Sequence, residues 1–255
     1  MRAEDDVIVI MIHVRCLWGA CNVWEEEAGL NVTEADHLES VLHYVGGRPD
    51  PAHTGLWFPI GGGLLQCPPD EDGLASGDEC VYLYPDLSTA LLGQWRSGRM
   101  VAAREATVTG LYSDRDTLRL VAEKVKGREA DIFSMDISTS TKISSQPRLE
   151  DPYERKAVYV AESLIEGAGE GVFLRRDAGP GDLVAVYNGV RMTEQESRLR
   201  REDRRSVYRI HGRAGDILNI PAWAQSLDNY TASLAHKVNH DKKPNAEFRF
   251  LDHPR

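Results

Sequence analysis

The sequence lacks a hydrophobic run long enough to cross a bilayer. A membrane-spanning helix needs about 20 consecutive apolar residues, whereas the apolar stretch Val7–Val14 covers only eight positions. The segment before it, Glu4-Asp5-Asp6, is acidic, while a secretory signal peptide begins with a basic segment. We therefore expect a protein with no membrane partner and no secretory signal.

Cysteine is also scarce, with four residues in 255. Cys16, Cys21, Cys67 and Cys80 have neither the paired Cys-x-x-Cys spacing of zinc ligands nor the density of a disulfide framework. We therefore expect four reduced thiols in an intracellular protein.

The sequence has no excess of positive charge either, since it contains 40 acidic residues and only 30 basic ones. Residues 151–255 are nearly neutral, with 17 basic and 16 acidic residues, whereas residues 1–150 hold 13 basic and 24 acidic residues and so carry the whole net negative charge. Nucleic-acid binding requires a basic surface, and we expect none. The acidic first half would attract a basic partner, although a well-solvated surface is the commoner meaning of such charge.

The first 55 residues form an extension that we assign to no domain. Val7–Val14 is rich in valine and isoleucine and predicts a buried strand. Residues 33–45 place Leu38, Val41, Leu42 and Val45 at helical spacing behind a possible cap at Thr33, and they predict a helix.

Residues 56–148 are expected to form a β-hairpin region. Short alternating runs are separated by glycine and proline turns, as in a β-meander. Within it, Gly93-Gln-Trp95-Arg-Ser-Gly98 resembles the Gly-x-aromatic-x-x-Gly core of a MORN repeat, and a generic hairpin is the alternative. We interpret residues 110–150 as a connection with one strand at Ile132-Phe-Ser-Met135.

The sequence of residues 149–255 predicts many short strands. The capping box Thr193-Glu-Gln-Glu196 opens one short charged helix that we expect to run to about Arg204. The expected strands cover Ala157–Ile165, Val172–Arg176, Asp182–Met192, Ile217–Pro221 and a last one starting at Phe248. The fold class is therefore mainly β with few short helices. The absence of alternating strands and long helices excludes a Rossmann-type methyltransferase.

Three motifs in this second half carry the functional prediction. They are Ala168-Gly-Glu-Gly171, Val186-Tyr-Asn-Gly-Val190 and, in the segment 234–245, the pair Asn239-His240 followed by Pro244-Asn245. Together and in this order they resemble SET-domain protein lysine methyltransferases, in particular the histone H3 type that carries MORN repeats before its SET domain. The fold implied is a MORN-like meander followed by a SET-domain, or β-clip, core.

The resemblance implies S-adenosylmethionine as cofactor and a histone tail or another lysine-bearing protein as partner. It assigns Ala168, Gly169, Glu170, Asn239 and His240 to the cofactor, with Glu170 balancing the ammonium group and His240 bracing the loop. Tyr187 and Phe248 would line the channel for the target lysine. It further implies a chromatin-associated protein of the nucleus, also found in the cytoplasm, and we expect a monomer.

A metal site is one alternative to weigh. His236 and His240 have a spacing that suits zinc on a helix, but no third ligand accompanies them, so we predict no metal site.

The end of the match leaves a second question open. In the family the domain continues past the match at His253-Pro-Arg255 with further strands and a catalytic tyrosine. The chain could then be an incomplete enzyme, or a non-catalytic module that binds a basic peptide.

Overall fold

The structure is a computed structural model that describes residues 6–12, 44–45, 48–49, 57–60, 63–114, 117–200, 206–212 and 216–252. Its described residues form a mainly β fold with two short α-helices, which confirms the expected fold class. No helix among them is long and apolar enough to span a membrane.

The secondary-structure elements of the described residues run along the chain as follows. The strands are β1 (Asp6–Ile12), β2 (Tyr44–Val45), β3 (Arg48–Pro49), β4 (Trp57–Ile60), β5 (Gly63–Gln66), β6 (Gly77–Leu83), β7 (Thr89–Arg96), β8 (Arg99–Asp114), β9 (Thr117–Lys124), β10 (Val158–Glu162), β11 (Glu170–Leu174), β12 (Leu183–Tyr187), β13 (Val190–Met192), β14 (Ile210–His211), β15 (Ile217–Asn219) and β16 (Ala246–Asp252). The α-helices are α1 (Pro152–Ala157) and α2 (Glu194–Leu199), and two 3₁₀ turns cover Ala222–Ala224 and Ala235–Lys237.

The described residues divide into two compact units. One unit holds residues 44–135, and the other holds β1 together with residues 136–252. The domain limits drawn from the sequence at residues 55 and 148 stay predictions.

The first unit is a six-stranded antiparallel sheet in which β4 to β9 follow one another in chain order. Trp95 of the repeat-like motif is fully buried. A side chain at Gly93 would meet the Ala102 carbonyl oxygen at 2.1 Å, so only glycine fits between β7 and β8. Ser97 and Gly98 both have positive φ, as the two-residue turn of a hairpin requires. The meander prediction is therefore confirmed.

Three sequence predictions around this sheet differ from the structure. Residues 110–114 continue the sheet as the end of β8, and residues 117–124 form β9, which pairs with β8, so these two stretches are not part of a connection. The predicted strand Ile132–Met135 is reduced to a single bridge between Phe133 and Ala103. The predicted helix at residues 33–45 lies outside the described residues, except that Tyr44–Val45 forms β2.

Cys67 and Cys80 form a disulfide, so the expectation of four reduced thiols is wrong for this pair. Strands β5 and β6 pair with Gln66 opposite Val81, and the next pair outward in that register is Cys67 and Cys80. Both residues are buried. Sequence spacing gave no sign of the bond because the strand register that brings the two residues together was not known.

The second unit is built around a three-stranded sheet in the order β12-β1-β16. The strand predicted at Val7–Val14 is present as β1 up to Ile12, beyond which its last two positions lie outside the described residues, and β1 pairs antiparallel with both neighbours. Two small sheets complete the unit, namely the hairpin β10–β11 and the sheet β13-β15-β14. The predicted strand Asp182–Met192 is divided into β12 and β13 because Asn188-Gly189 interrupts it.

Helix α1 was not expected from the sequence, and it holds the outer edge of β12. Asp151 caps the helix by accepting bonds from the backbone N–H groups of Tyr153 and Glu154, which is the usual role of aspartate at this position. The Tyr153 hydroxyl donates to the Leu183 carbonyl, and Glu154 accepts from the Val186 N–H at 2.6 Å. Side chains thus satisfy backbone groups of β12 at this edge.

Helix α2 confirms the capping box at Thr193 and Glu196, in which both reciprocal bonds are present. It ends at Leu199, earlier than the sequence suggested, and residues 201–205 lie outside the described residues.

Candidate functional site

The glycine turn connects β10 with β11 and has the geometry that its sequence predicts. Gly167 and Gly169 have φ of 75° and 70°, a region in which residues with a Cβ are strained. The Ser163 N–H donates to the Gly169 carbonyl at 2.7 Å and closes the loop. The residues of the turn from Gly167 to Glu170 are exposed, so their backbone is open to a ligand.

The second 3₁₀ turn and the segment after it dock onto this hairpin through two side-chain contacts. The Lys237 ammonium lies 2.5 Å from a Glu170 carboxylate oxygen, and the Asn239 Nδ2 donates to the Ser163 hydroxyl at 2.7 Å. Asn239 Nδ2 also lies only 2.8 Å from where a Cβ at Gly171 would be. A side chain at position 171 would therefore displace the Asn239 amide from this position.

The structure thus brings together Glu170 and Asn239, which are 69 positions apart along the chain, at one end of the β10–β11 hairpin. Ala168 and Gly169 belong to the same exposed turn. His240 does not brace the loop as expected, since it is exposed and makes no side-chain hydrogen bond with any described residue. Its assignment to the cofactor stays a prediction.

Lys237 is the ion-pair partner that the sequence analysis did not assign to the site. It is 6% exposed, and its ammonium also donates to the Gln225 carbonyl at 2.5 Å. A buried ammonium needs such partners because desolvation of an unpaired charge is costly. The partly exposed Glu170 carboxylate is therefore already paired with the buried Lys237 ammonium, a partner that the sequence did not indicate.

The two lysine-channel candidates, Tyr187 and Phe248, are also in contact. Their ring centroids are 5.7 Å apart in an edge-to-face arrangement, which is a favourable geometry for aromatic pairs. Tyr187 is 3% exposed, whereas Phe248 is 45% exposed. The pair therefore forms an aromatic surface that runs from the interior of the unit to solvent.

Burial raises the pKa of the Tyr187 hydroxyl well above its ordinary value, with smaller contributions from Tyr230 and Tyr208. The hydroxyl donates a hydrogen bond to the Tyr208 carbonyl oxygen. Tyr187 is therefore neutral at physiological pH, and its hydroxyl is held in place as a donor.

Tyr208 links the aromatic surface to the docked segment. Its carbonyl accepts from Tyr187, and its ring lies 5.9 Å from the Lys237 ammonium and 6.0 Å from the His236 ring. Lys237 in turn bonds to Glu170. A continuous series of contacts therefore joins Phe248 at the surface with the carboxylate at the glycine turn.

His236 is a buried imidazole between two tyrosines. It is 4% exposed, and its ring also lies 5.5 Å from that of Tyr230. Neither ring nitrogen makes a well-formed hydrogen bond among the described residues. Burial, assisted by the neighbouring Lys237 charge, lowers the pKa of His236 to about 4, and the Ser233 backbone only partly opposes this. The ring is therefore neutral at physiological pH.

Glu154 connects the strand that carries Tyr187 with the segment that carries Asn239. One of its carboxylate oxygens accepts from the Val186 N–H at 2.6 Å and from the Leu234 N–H at 3.1 Å. The residue is 1% exposed. One buried carboxylate thus fixes the residue before Tyr187 and the entry to the second 3₁₀ turn.

Sequence reasoning missed four residues of this site, namely Glu154, Tyr208, Tyr230 and Lys237. Lys237 stands beside a predicted ligand and could have been included on that ground. Tyr208 and Tyr230 lie in segments without a motif, and only the fold brings them to His236. No pattern marks Glu154, because its partners are backbone groups far along the chain.

Comparison with known proteins shows which sequences this chain is similar to. The family described as "Histone H3 K4-specific methyltransferase SET7 N-terminal" matches residues 52–119. A relative from Halocynthia roretzi, "Histone-lysine N-methyltransferase SETD7", is 37% identical over 200 residues, which cover 78% of this chain and 51% of the relative. The chain therefore spans about half the length of the curated relative that it matches.

Proposed function

We propose that this SETD7-like chain transfers a methyl group from S-adenosylmethionine to the ε-amine of a lysine on a histone tail or another protein. The observation that carries the proposal is the docking of Lys237 onto Glu170 and of Asn239 onto Ser163, on the two sides of the glycine turn. Contacts through Tyr208 connect this site to the aromatic pair Tyr187 and Phe248. The likeness to a histone-lysine methyltransferase over 200 residues supports it.

The residues at the turn fit the amino-acid end of S-adenosylmethionine. That end carries one carboxylate and one ammonium group, and the site offers the partly exposed Glu170 carboxylate, which Lys237 holds in place, together with the amide of Asn239. The exposed backbone of Ala168 and Gly169 would lie along the ligand. Bound there, the cofactor would supply a methyl group activated by its positively charged sulfur.

Tyr187 and Phe248 would receive the target lysine. A free lysine side chain has a pKa near 10.4 and is almost fully protonated at neutral pH. A surface of aromatic rings disfavours the charged form, which lowers the pKa of a lysine held against it. Because the Tyr187 hydroxyl is neutral and already donates to Tyr208, we assign it no role as a base. Its contribution is to exclude water and to position the amine.

Phe248 bears on the number of methyl groups that can be added. It has no hydroxyl, and nearly half of its surface is exposed, so a methylated amine has room beside the ring. The ring face also attracts a methylated ammonium through a cation–π contact. The proposed product therefore includes lysines with more than one methyl group.

Partner and location extend the proposal beyond the site. The MORN-like meander would form an accessory surface, and the acidic first half of the chain suits a basic histone tail. We place the protein at chromatin in the nucleus and also in the cytoplasm. The Cys67–Cys80 disulfide is the observation against this location, since such bonds are rare in reducing compartments. Cell fractionation followed by thiol labelling of these two cysteines would decide.

The activity is tested by incubating the chain with S-adenosylmethionine labelled in its methyl group and with recombinant histone H3. The family that matches residues 52–119 is described as specific for lysine at position 4 of that histone, so an H3 tail peptide with arginine at that position is the matched substrate control. Label on histone H3, with mass increments of one or more methyl groups, is the expected result.

Two variants of one residue type separate the site from the rest of the loop. Asn239→Ala should abolish labelling because it removes the amide at the turn, whereas Asn245→Ala changes an exposed residue nearby and should retain it. Binding of the histone tail without methyl transfer by the wild-type chain would overturn the proposal in favour of a non-catalytic module.

A further inference from the structure

The position of β1 in the second unit has a consequence for the lysine channel. Strand β1 lies between β12, which carries Tyr187, and β16, which carries Phe248. It pairs antiparallel with both of them. Neighbouring strands stand about 4.8 Å apart, so β12 and β16 are separated by roughly 10 Å. No pairing joins β12 directly to β16 among the described strands.

The register of β1 places the two channel rings on the same side of the sheet. Tyr187 stands opposite Ile8, and Phe248 stands opposite Ile10. Positions 8 and 10 of a strand share a face because side chains alternate with a period of two. A slip of β1 by one residue against β16 would move Phe248 to the other face, and the contact at 5.7 Å between the two rings would be lost.

We propose that β1 is a positioning element of the lysine channel, supplied from within the same chain, which fixes the register between Tyr187 and Phe248. The proposal rests on the proposed function for its catalytic meaning, but the placement of β1 can be tested without any activity. The chain segment between β1 and the rest of the unit contains the whole first unit. Strand β1 is therefore a distant segment that completes the sheet.

The residues at the glycine turn are held by other contacts. Glu170 and Asn239 are fixed by Lys237 and Ser163, and strand β11 pairs with β10 and not with β1. A disturbance of β1 should consequently affect the aromatic pair more than the proposed cofactor residues. This difference distinguishes a positioning role from a general loss of structure.

Placement is tested by cross-linking Val9→Cys with Val186→Cys in the full chain. These residues are direct partners, and the Val186 N–H bonds to Glu154, so the pair occupies a non-hydrogen-bonded position, where the Cα atoms lie about 4.5 Å apart. That separation suits a disulfide. Val9→Cys with Ala185→Cys is the matched control, because position 185 lies on the opposite face.

The expected result is a disulfide within one chain for the 9–186 pair, identified by mass spectrometry of the linked peptides, and at most a tenth of that yield for the 9–185 pair. A disulfide between two chains would mean that β1 is exchanged between copies, which overturns the proposal. Equal yields for the two pairs, or no link, would also overturn it.

The positioning role is tested with Val9→Pro, since proline cannot donate a ladder hydrogen bond in a central strand. We expect kcat/KM for a lysine peptide to fall at least tenfold while the Kd for S-adenosylmethionine changes less than twofold. Lys124→Pro is the control, because it lies at the end of the edge strand β9. If Val9→Pro does not fold, Val9→Gly weakens the strand more mildly.

If the variant that folds loses cofactor affinity and peptide turnover to the same extent, β1 only stabilises the fold, and the positioning role is contradicted. Failure of the proposed function is recognised separately. In that case wild-type chain transfers no methyl group, although the disulfide between positions 9 and 186 still forms.

Discussion

The buried His236 predicts how the second unit responds to acid. Because its pKa is lowered to about 4 in the folded chain, against about 6.5 for an exposed histidine, the unfolded chain binds more protons in that interval. The contribution to stability is therefore complete above pH 6.5 and is lost as the pH falls toward 4. The perturbation that isolates it is His236→Phe, which keeps an aromatic ring between Tyr208 and Tyr230.

The magnitude follows from the shift in pKa. One unit corresponds to about 1.4 kcal/mol, so lowering the pH from 7.5 to 4.5 should remove about 2.5 kcal/mol of unfolding free energy through this group. His236→Phe lacks the titrating ring, so between the same two pH values its unfolding free energy should fall by about 2.5 kcal/mol less than that of wild type. The carboxylates that also titrate are common to both proteins and cancel in the difference.

The assay is urea unfolding at both pH values, followed by fluorescence, for wild type, His236→Phe and the control His211→Gln. His211 is exposed, so its replacement should leave the pH dependence of wild type unchanged. Proton NMR of the imidazole C–H signal that disappears in His236→Phe gives the pKa directly. Equal losses of stability in wild type and His236→Phe, with a signal that titrates near pH 6.5, would refute the reasoning.

Three further substitutions test other parts of the account. Glu154→Ala removes the acceptor of the Val186 and Leu234 N–H groups and should lower the unfolding free energy by about 2–4 kcal/mol, whereas Glu154→Gln retains an acceptor oxygen and should lose less in the same urea titration. Phe248→Tyr adds a hydroxyl beside Tyr187 and should shift the products toward single methylation by mass spectrometry; an unchanged distribution would contradict the argument from space. Cys67→Ser removes a disulfide that spans 13 residues and should lower the unfolding free energy of the first unit by about 3 kcal/mol, as measured by thermal unfolding. Wild type treated with a reducing agent should show the same loss.

The sequence predicts the parts of this fold that depend on local pattern. The glycine turns of the meander and the capping box at Thr193 both depend on residues a few positions apart, and the structure has such a turn at Ser97-Gly98 as well as the capping box. Long-range register is different, because it depends on which strands meet. The pairing of Cys67 with Cys80 and the place of β1 between two distant strands therefore had no signal in the sequence.

The candidate site divides in the same way. Glu170, Asn239 and Tyr187 were identified through motifs and Phe248 through the family resemblance, and the structure brings them into two connected groups of contacts. The residues that connect these groups, such as Tyr208, act through a backbone carbonyl or a ring face. Many residue types can make such contacts, so no sequence pattern marks them and only the packed structure reveals them.

The central claim is that the glycine turn and the segment docked on it hold S-adenosylmethionine, and calorimetric titration of the chain with this cofactor tests it most directly. We predict saturable binding by wild type, a loss of affinity of at least tenfold in Asn239→Ala, and wild-type affinity in Asn245→Ala. Absence of binding by wild type, or equal affinity in wild type and Asn239→Ala, would contradict the account.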